Sequence, residues 1–497
     1  MSEPIIICGD GRISRTGLED RSRRAAGLLA AAGIGAGSSV AVLLPNSIAF
    51  IEAMLGAQHI GAYAVPINWH FAPAEIVYIL DDCGARVLVT EQDLLDPLRG
   101  LLPADMVVFV VDRAGSETAR AWDAALAASE PVVSLPAPPV DSMIYTSGTT
   151  GRPKGVRRAS AKGEQQARLA AMRERLYGLR AGMRGLLAAP LYHSAPNFFS
   201  LAAVRSNGLL VLESRFDAER TLQLVEEHRI THMFVVPTMF VRLLALPEAV
   251  RRKYDLSSLE NVLHAGAPCA PDVKARMIDW WGPVIFEYYG STEAGPLTFC
   301  GSDDWLAHRG TVGRPIEGVR LSIRGAAGKP CGAGEAGEIC IDETFQPSFT
   351  YHKDAEKRRA LEVDGVLGTG DVGYFDADGF LHICDRLSDM VISGGVNIYP
   401  AEIEAALITL PGVADCAVIG VPNAEFGESV AAFIQPAHGG AAPSAEDIRH
   451  ALKGRIADYK IPRAFHFRAE LPRDDSGKIF KRRLREELAR EAAASAL

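Results

Sequence analysis

From the N-terminus to about Glu287, short runs of β-branched and apolar residues alternate with stretches of helical periodicity, the pattern of parallel strands joined by crossover helices. Val40 to Leu44 reads as a buried strand, and so do Arg86 to Val89, Met106 to Val111, Gly185 to Ala189, His232 to Val236 and Val284 to Glu287. The helix ahead of Val40 is expected to begin at Thr16-x-x-Glu19, a capping-box spacing in which both side chains satisfy free backbone amides. Between about Thr298 and Asp385 the chain turns to Gly-rich short strands, with a hairpin turn at Asp378-Gly379. After Asp385-Arg386 comes a compact unit with a strand from Asp415 to Val421, a helix starting at Tyr399-Pro400 and another around Ala445 to Ala457.

The fold class expected is therefore α/β. A large N-terminal domain of layered αβ subdomains spans 1–386 and includes a small β subdomain near 298–385; a small mobile α+β domain spans 387–497. A chain of 497 residues exceeds what one core supports, and 48% hydrophobic with 23% charged residues supplies ample core material. A net charge of −9 argues against nucleic acid as a partner, so any phosphate chemistry must be local. No apolar run is long enough to span a bilayer, and the start lacks the basic flank of a signal peptide, so a cytoplasmic enzyme is expected. The eight cysteines never pair as C-x-x-C, which leaves a zinc site or disulfide framework without support.

The most informative stretch is Tyr145-Thr146-Ser147-Gly148-Thr149-Thr150-Gly151-Arg152-Pro153-Lys154-Gly155-Val156, directly after a strand-like Ser142 to Tyr145. Glycines let backbone amides converge on phosphate oxygens, the hydroxyls donate further hydrogen bonds, and Lys154 adds positive charge. Pro153 before Lys154 and Gly155 after it exclude a Walker A loop. A surface turn would explain three or four such residues but not the whole run.

This loop resembles the signature of the adenylate-forming superfamily, which contains acyl- and aryl-CoA synthetases, firefly-type luciferases and the adenylation domains of peptide synthetases. Further segments similar to that superfamily's motifs follow in its order over nearly the whole chain. In Tyr288-Tyr289-Gly290-Ser291-Thr292-Glu293-Ala294-Gly295 the resemblance implies that Tyr289 stacks on adenine beside Gly290, that Thr292 contacts the α-phosphate and that Glu293 holds Mg²⁺. Ala265-Gly266-Ala267-Pro268 is similar to the segment beside adenine and the acyl pocket. In Gly368-Thr369-Gly370-Asp371-Val372-Gly373-Tyr374, Asp371 would accept both ribose hydroxyls, with Arg386 completing the ribose contacts.

Met390 to Glu404 resembles the core of the superfamily's C-terminal domain, in which Gly394 and Gly395 would lie along the CoA pantetheine tunnel. Leu471 to Ile479 looks like the segment that presents the adenylation lysine, Lys478. The hinge would fall at Leu387/Ser388, where Ser388 departs from the Asp or Lys usual in the superfamily. Leu191 to Phe199 is placed like the aromatic segment beside the acid, and His193 would gate the carboxylate or the CoA channel, or make a structural hydrogen bond at a helix start. With Ser194, His264, Ala265, Gly290 and Pro296 it implies an apolar acyl pocket, which favours a hydrophobic acid: fatty, alicyclic, steroid-derived or aryl.

The activity so implied is an ATP- and Mg²⁺-dependent acyl-CoA synthetase. A carboxylic acid and ATP give acyl-AMP and diphosphate, Lys478 and Mg²⁺ offset the charge repulsion, and the CoA thiol then displaces AMP after the C-terminal domain swings. The alternatives are an acyl-AMP ligase that loads a carrier protein and a non-catalytic acyl-adenylate or nucleotide sensor. A homodimer is left open.

Overall fold

The computed structural model describes residues 4–111, 119–133, 141–146, 152–325, 328–363, 365–423, 425–437, 443–473 and 479–495. The predicted crossover pattern forms two parallel sheets. In one, Leu209–Leu212, Arg184–Leu187, His232–Val235, Asn261–His264 and Ile285–Ser291 lie side by side, and Pro4–Cys8 adds parallel to Leu209–Leu212. In the other the order is Tyr63–Pro66, Ser39–Leu43, Val87–Thr90, Val107–Val110 and Arg120–Ala121.

Strand alternation explains how the layers join. Val40, Val42, Val87 and Val89 face the large core that also takes Ala25 and Leu29 of the helix Arg15–Ala31, Phe50 and Met54 of the helix Ile48–His59, and Ile6, Leu210 and Val211 of the first sheet. Ala41, Leu43 and Leu88 point the other way, onto Ile76, Ile79 and Leu80 of Pro73–Cys83. The two central helices press together at Gly56, where a Cβ would stand 2.6 Å from the Cβ of Ala25, so only glycine fits. The first helix starts earlier than its capping-box spacing suggests. Ser14 is the N-cap and accepts from Gly17 N–H at 3.1 Å, because a hydroxyl one position before the first helical residue reaches a free amide that Thr16, already inside the helix, does not.

At Gly295 the chain reverses. Gly295–Cys300 runs antiparallel to Ile285–Ser291 and carries the first sheet on through Thr311–Pro315, Leu381–Arg386, Val366–Phe375, Gly337–Thr344 and Val319–Arg324. The β-rich region thus continues the parallel sheet while keeping its own core of Leu297, Leu321, Ile339 and Leu381. Its hairpin turns at Gly379 (φ +81°), where Asp376 Oδ1 accepts from Asp378 N–H at 3.0 Å and Phe380 N–H at 2.9 Å.

The C-terminal part pairs Val413–Asn423 with Gly427–Pro436, adds Ala464–Phe467 in parallel, and packs Pro400–Leu407 and Ala445–Leu452 over Val418, Val430 and Ile434. Pro400 is the first helical residue, as its missing N–H favours, and Ser444 with Asp447 forms a capping box on a helix shorter than the sequence pattern suggests. The architecture is mixed α/β, with a large N-terminal and a small C-terminal region. Among the described residues no helix is long and apolar enough to cross a membrane.

Candidate active site

A cavity of about 1090 Å³ opens between the sheets and the C-terminal region, and most of the chemistry-bearing residues meet on its walls. Lys154 begins the strand Lys154–Arg158, held between Ile144–Thr146 and Phe349–Tyr351. Period-2 alternation turns Lys154, Val156 and Arg158 to the cavity together. Ser147, Gly148, Thr149 and Thr150 lie outside the described residues, as does Lys478, whereas Thr146 lines the cavity. Phe480, two positions beyond Lys478, lines it as well.

Lys154 Nζ donates to Asp354 Oδ2 at 2.7 Å. Asp354 is also the N-cap of the helix Ala355–Ala360 and accepts from Lys357 N–H at 3.1 Å, so one carboxylate holds the Lys154 head and the Lys357 backbone together. The Lys357 ammonium is buried and, among the described residues, has no hydrogen-bond partner; it lies 5.8 Å from the Tyr351 ring, over which Lys154 stands at 5.7 Å. Burial, and then the neighbouring Lys154, push its pKa down to about 8. Two ammonium groups crowded together make a site for a polyanion.

Thr292 and Glu293 lie just before the reversal at Gly295. Gly295 has φ +75°, and a Cβ there would strike the Gln346 side chain, which donates to Pro296 O. Thr292 is held from two sides: its Oγ1 is 3.2 Å from Ser194 Oγ, and its carbonyl accepts from Arg158 Nη2 at 2.8 Å. Glu293 Oε1 accepts from Thr146 Oγ1 at 3.4 Å and from Tyr351 OH at 3.3 Å. One carboxylate beside a hydroxyl fits Mg²⁺, which is usually held by one or two carboxylates plus phosphate oxygens and keeps several waters. Among the described residues no group of three or more His, Cys, Asp or Glu forms a fuller metal cage.

Asp371 and Arg386 line the cavity, with Arg386 Nε 3.5 Å from Asp371 Oδ1; Tyr289, which does not line it, donates its hydroxyl to Asp371 Oδ2 at 2.6 Å. Backbone register explains this triad, because Asp371 and Arg386 are cross-strand partners. Gly266 (φ +89°), Ala265, Gly290 and Pro296 line the cavity; Ala267 and Pro268 do not. His193 is the N-cap of the helix Ser194–Arg205 and faces the cavity with Ser194. Leu387, whose N–H donates to Gly370 O at 2.8 Å, and Ser388 line it from the C-terminal side.

One expected placement needs correction. His264 does not line the acyl pocket. It is fully buried in the core, 3.5 Å from Glu287 Oε2, because the strand's alternation turns it away from the side that Ala265 faces, and burial plus Lys274 hold it neutral. Gly394 and Gly395 do not line the cavity in this arrangement of the chain. They form the exposed tip of the hairpin joining Val391–Ser393 to Val396–Ile398, with φ of +59° and +82° that favour glycine.

The sequence reading also missed Arg158, Arg173, Arg205, Tyr288, Tyr351 and Lys357, all of which line the cavity. Only Arg158 had a local signal, its even spacing from Lys154 on a strand.

A nucleotide-binding cavity with a phosphate end, a ribose-type Asp/Arg pair and a separate apolar arm defines an adenylating class of protein. The chain belongs to the AMP-binding enzyme family: the AMP-binding enzyme model matches residues 1–346, and the model of the family's C-terminal domain matches 402–478. It is 34% identical over 473 residues to a feruloyl-CoA synthase of an Amycolatopsis species, covering 94% of this chain and 92% of that one. It is 32% identical over 496 residues to a fatty acid–[acyl-carrier-protein] ligase of Streptomyces coeruleorubidus, covering 97% and 93%. Among solved structures it is similar to o-succinylbenzoate CoA synthetase from Bacillus subtilis in complex with its acyl-adenylate intermediate, with a TM-score of 0.81, 27% identity, and coverage of 97% and 95%.

Proposed function

We propose that this protein is an AMP-forming acyl-CoA ligase acting on a hydrophobic carboxylic acid. The observation that carries the reading is that one cavity joins a lysine-lined phosphate end, the Thr292–Glu293 turn, the Asp371–Arg386 pair and an apolar arm along Phe198, Leu201, Phe234 and Val236. The relatives named as a feruloyl-CoA synthase and an o-succinylbenzoate CoA synthetase support the same reaction class.

In this reading Asp371 exchanges Tyr289 for the ribose hydroxyls, and the ring of Tyr289 faces adenine. Lys154 and Lys357 receive the β- and γ-phosphates. Thr292, braced by Ser194 and Arg158, orients the α-phosphate toward the incoming carboxylate. Glu293 with Thr146 would hold Mg²⁺, which when bound offsets phosphate charge. Lys478 supplies the positive charge at the reacting carboxylate. The acid's oxygen bonds to the α-phosphorus as diphosphate leaves with the electron pair of the broken P–O bond; the CoA thiol then attacks the acyl carbon, loses its proton and expels AMP.

The two half-reactions need different neighbours at the cavity mouth. We assign 1–386 and 387–497 as the two bodies, hinged at Leu387/Ser388, whose movement would bring the Gly394–Gly395 hairpin to the cavity. Ile392 and Val396 flank that tip and are about half exposed, an apolar face that suits a pantetheine arm.

Purified protein with ATP, Mg²⁺, CoA and a panel of aryl, alicyclic and fatty acids should release AMP and diphosphate and form a thioester visible by mass spectrometry, with Lys478→Ala abolishing diphosphate release. Acyl-AMP accumulating without thioester would point to a carrier-protein acceptor, and no turnover with any acid would overturn the enzyme reading.

A further inference from the structure

The helix Ser194–Arg205 meets the reaction centre at its first residue, where Ser194 Oγ lies 3.2 Å from Thr292 Oγ1. Beyond its first turn, the residues it gives to the cavity wall are Phe198, Leu201 and Arg205. Together with Ser194 these sit at steps of four, three and four, a single stripe along one helical face. The cavity therefore follows the helix for its whole length, about 16 Å at 1.5 Å per residue. An apolar stretch separates Thr292 from a terminus that ends in arginine.

That terminus is cationic. Arg205 Nη2 donates to the neutral Gln58 Oε1 at 2.6 Å, and among the described residues no carboxylate pairs with it. Arg173, on the neighbouring helix Gly163–Tyr177, lies over the Phe198 ring at 4.2 Å. Its acidic neighbour is Asp141 at 4.0 Å, and that carboxylate is shared: it also faces Arg205 and Arg158. Arg158 is half-buried, whereas Arg205 keeps part of its surface in water. Arg173 and Arg205, with one half-exposed carboxylate shared among them and Arg158 at Thr292, leave positive charge uncompensated along the hydrophobic arm beyond Phe198. An alkyl tail or bare ring ending there would desolvate these groups and return nothing.

We propose that the acid activated here carries, beyond an apolar body, a second carboxylate remote from the one that is adenylated, and that Arg173 and Arg205 bind it. The planar forks of the two arginines match a carboxylate, and the distance from Thr292 sets the body's length. This inference rests on the acyl-CoA ligase reading and narrows its substrate from hydrophobic acids to dicarboxylic acids with an apolar middle.

The test compares decanoate, 9-oxodecanoate and decanedioate, and an arylpropanoate with and without a para-carboxylate, in the full enzyme with ATP, Mg²⁺ and CoA. The dicarboxylates should exceed their monocarboxylate partners in kcat/KM by at least about tenfold, the scale of a hydrogen bond to a charged group. The gap should lie in KM and shrink with added salt. Arg205→Gln and Arg173→Gln should each narrow it, and Arg→Lys at either site should restore it partly. Equal or better use of decanoate, a preference for the neutral 9-oxodecanoate, or a gap unchanged in both glutamine variants would overturn the inference while leaving the ligase reading intact. If the variants fail to fold, the salt dependence of the native enzyme's preference decides alone. Absence of diphosphate release with every acid would overturn the ligase reading, and this inference with it.

Discussion

Tyr289 donates its hydroxyl to Asp371 Oδ2 at 2.6 Å, so the carboxylate assigned to the ribose already has a partner before any nucleotide arrives. Burial, reinforced by Asp371, holds the Tyr289 phenol well above its usual range, which keeps it a neutral donor at any working pH. Binding ATP would trade one hydrogen bond for two. Asp371→Asn should therefore raise KM for ATP by about tenfold or more, whereas Tyr289→Phe, which keeps the ring and frees the carboxylate, should change it by less than about threefold. Initial rates against ATP concentration check both, and a larger loss in Tyr289→Phe would mean that the hydroxyl itself touches the nucleotide.

Lys357 gives the phosphate end a pH dependence. The groups facing it are Lys154, Asp354, Glu293 and the Tyr351 ring. Only the ammonium form attracts phosphate, and its pKa is pushed down to about 8, so this share of ATP binding is complete below that pH and is lost as pH rises through it. KM for ATP in the native enzyme should rise between about pH 7 and 9, while Lys357→Gln should start high and stay flat over that range. Inhibition by added diphosphate should weaken in the same variant, and inhibition by AMP should not.

A buried ion pair joins the helix Pro271–Trp281 to the strand Ile285–Ser291. Lys274 is fully buried and its Nζ lies 2.6 Å from Glu287 Oε2, with the Trp305 ring 5.1 Å away. Lys274→Met strands a carboxylate in the core and should cost about 3–5 kcal/mol, whereas Lys274→Met with Glu287→Leu should recover most of it, because the pair offsets its own desolvation. Denaturant unfolding of the single and double variants measures the difference.

The parallel strands and the order of the motifs were legible because each rests on a contiguous stretch: Val40 to Leu44 declares itself by unbroken apolarity, and Lys154 by the glycines and hydroxyls before it. Asp371 and Arg386 come from two separate motifs, and the register of two strands makes them neighbours. Residues that act through distant contacts gave no such signal. Lys357 gains meaning only when Phe349–Tyr351 pairs with Lys154–Arg158 and brings its helix beside Lys154, and Arg205 only when one helical face is known to line a cavity. His264 was misplaced for a related reason: adjacent residues on a strand face opposite sides, so its neighbour Ala265 could serve the cavity only if His264 did not.

The proposed hinge can be tested at Ser388 without disturbing the contact beside it. Leu387 spends its N–H on Gly370 O, so proline at 387 would break a hydrogen bond as well as stiffen the chain. Proline at 388 fixes its own φ and restricts Leu387 to extended backbone, leaving that N–H in place. If the C-terminal region must rotate between half-reactions, Ser388→Pro should slow thioester formation by about a hundredfold or more while diphosphate release in a single turnover changes by less than about threefold, because only the first orientation needs no new backbone angle at this position. Rapid-quench measurement of the two steps separates them, and equal slowing of both would place the pivot elsewhere in the segment between Arg386 and Val391.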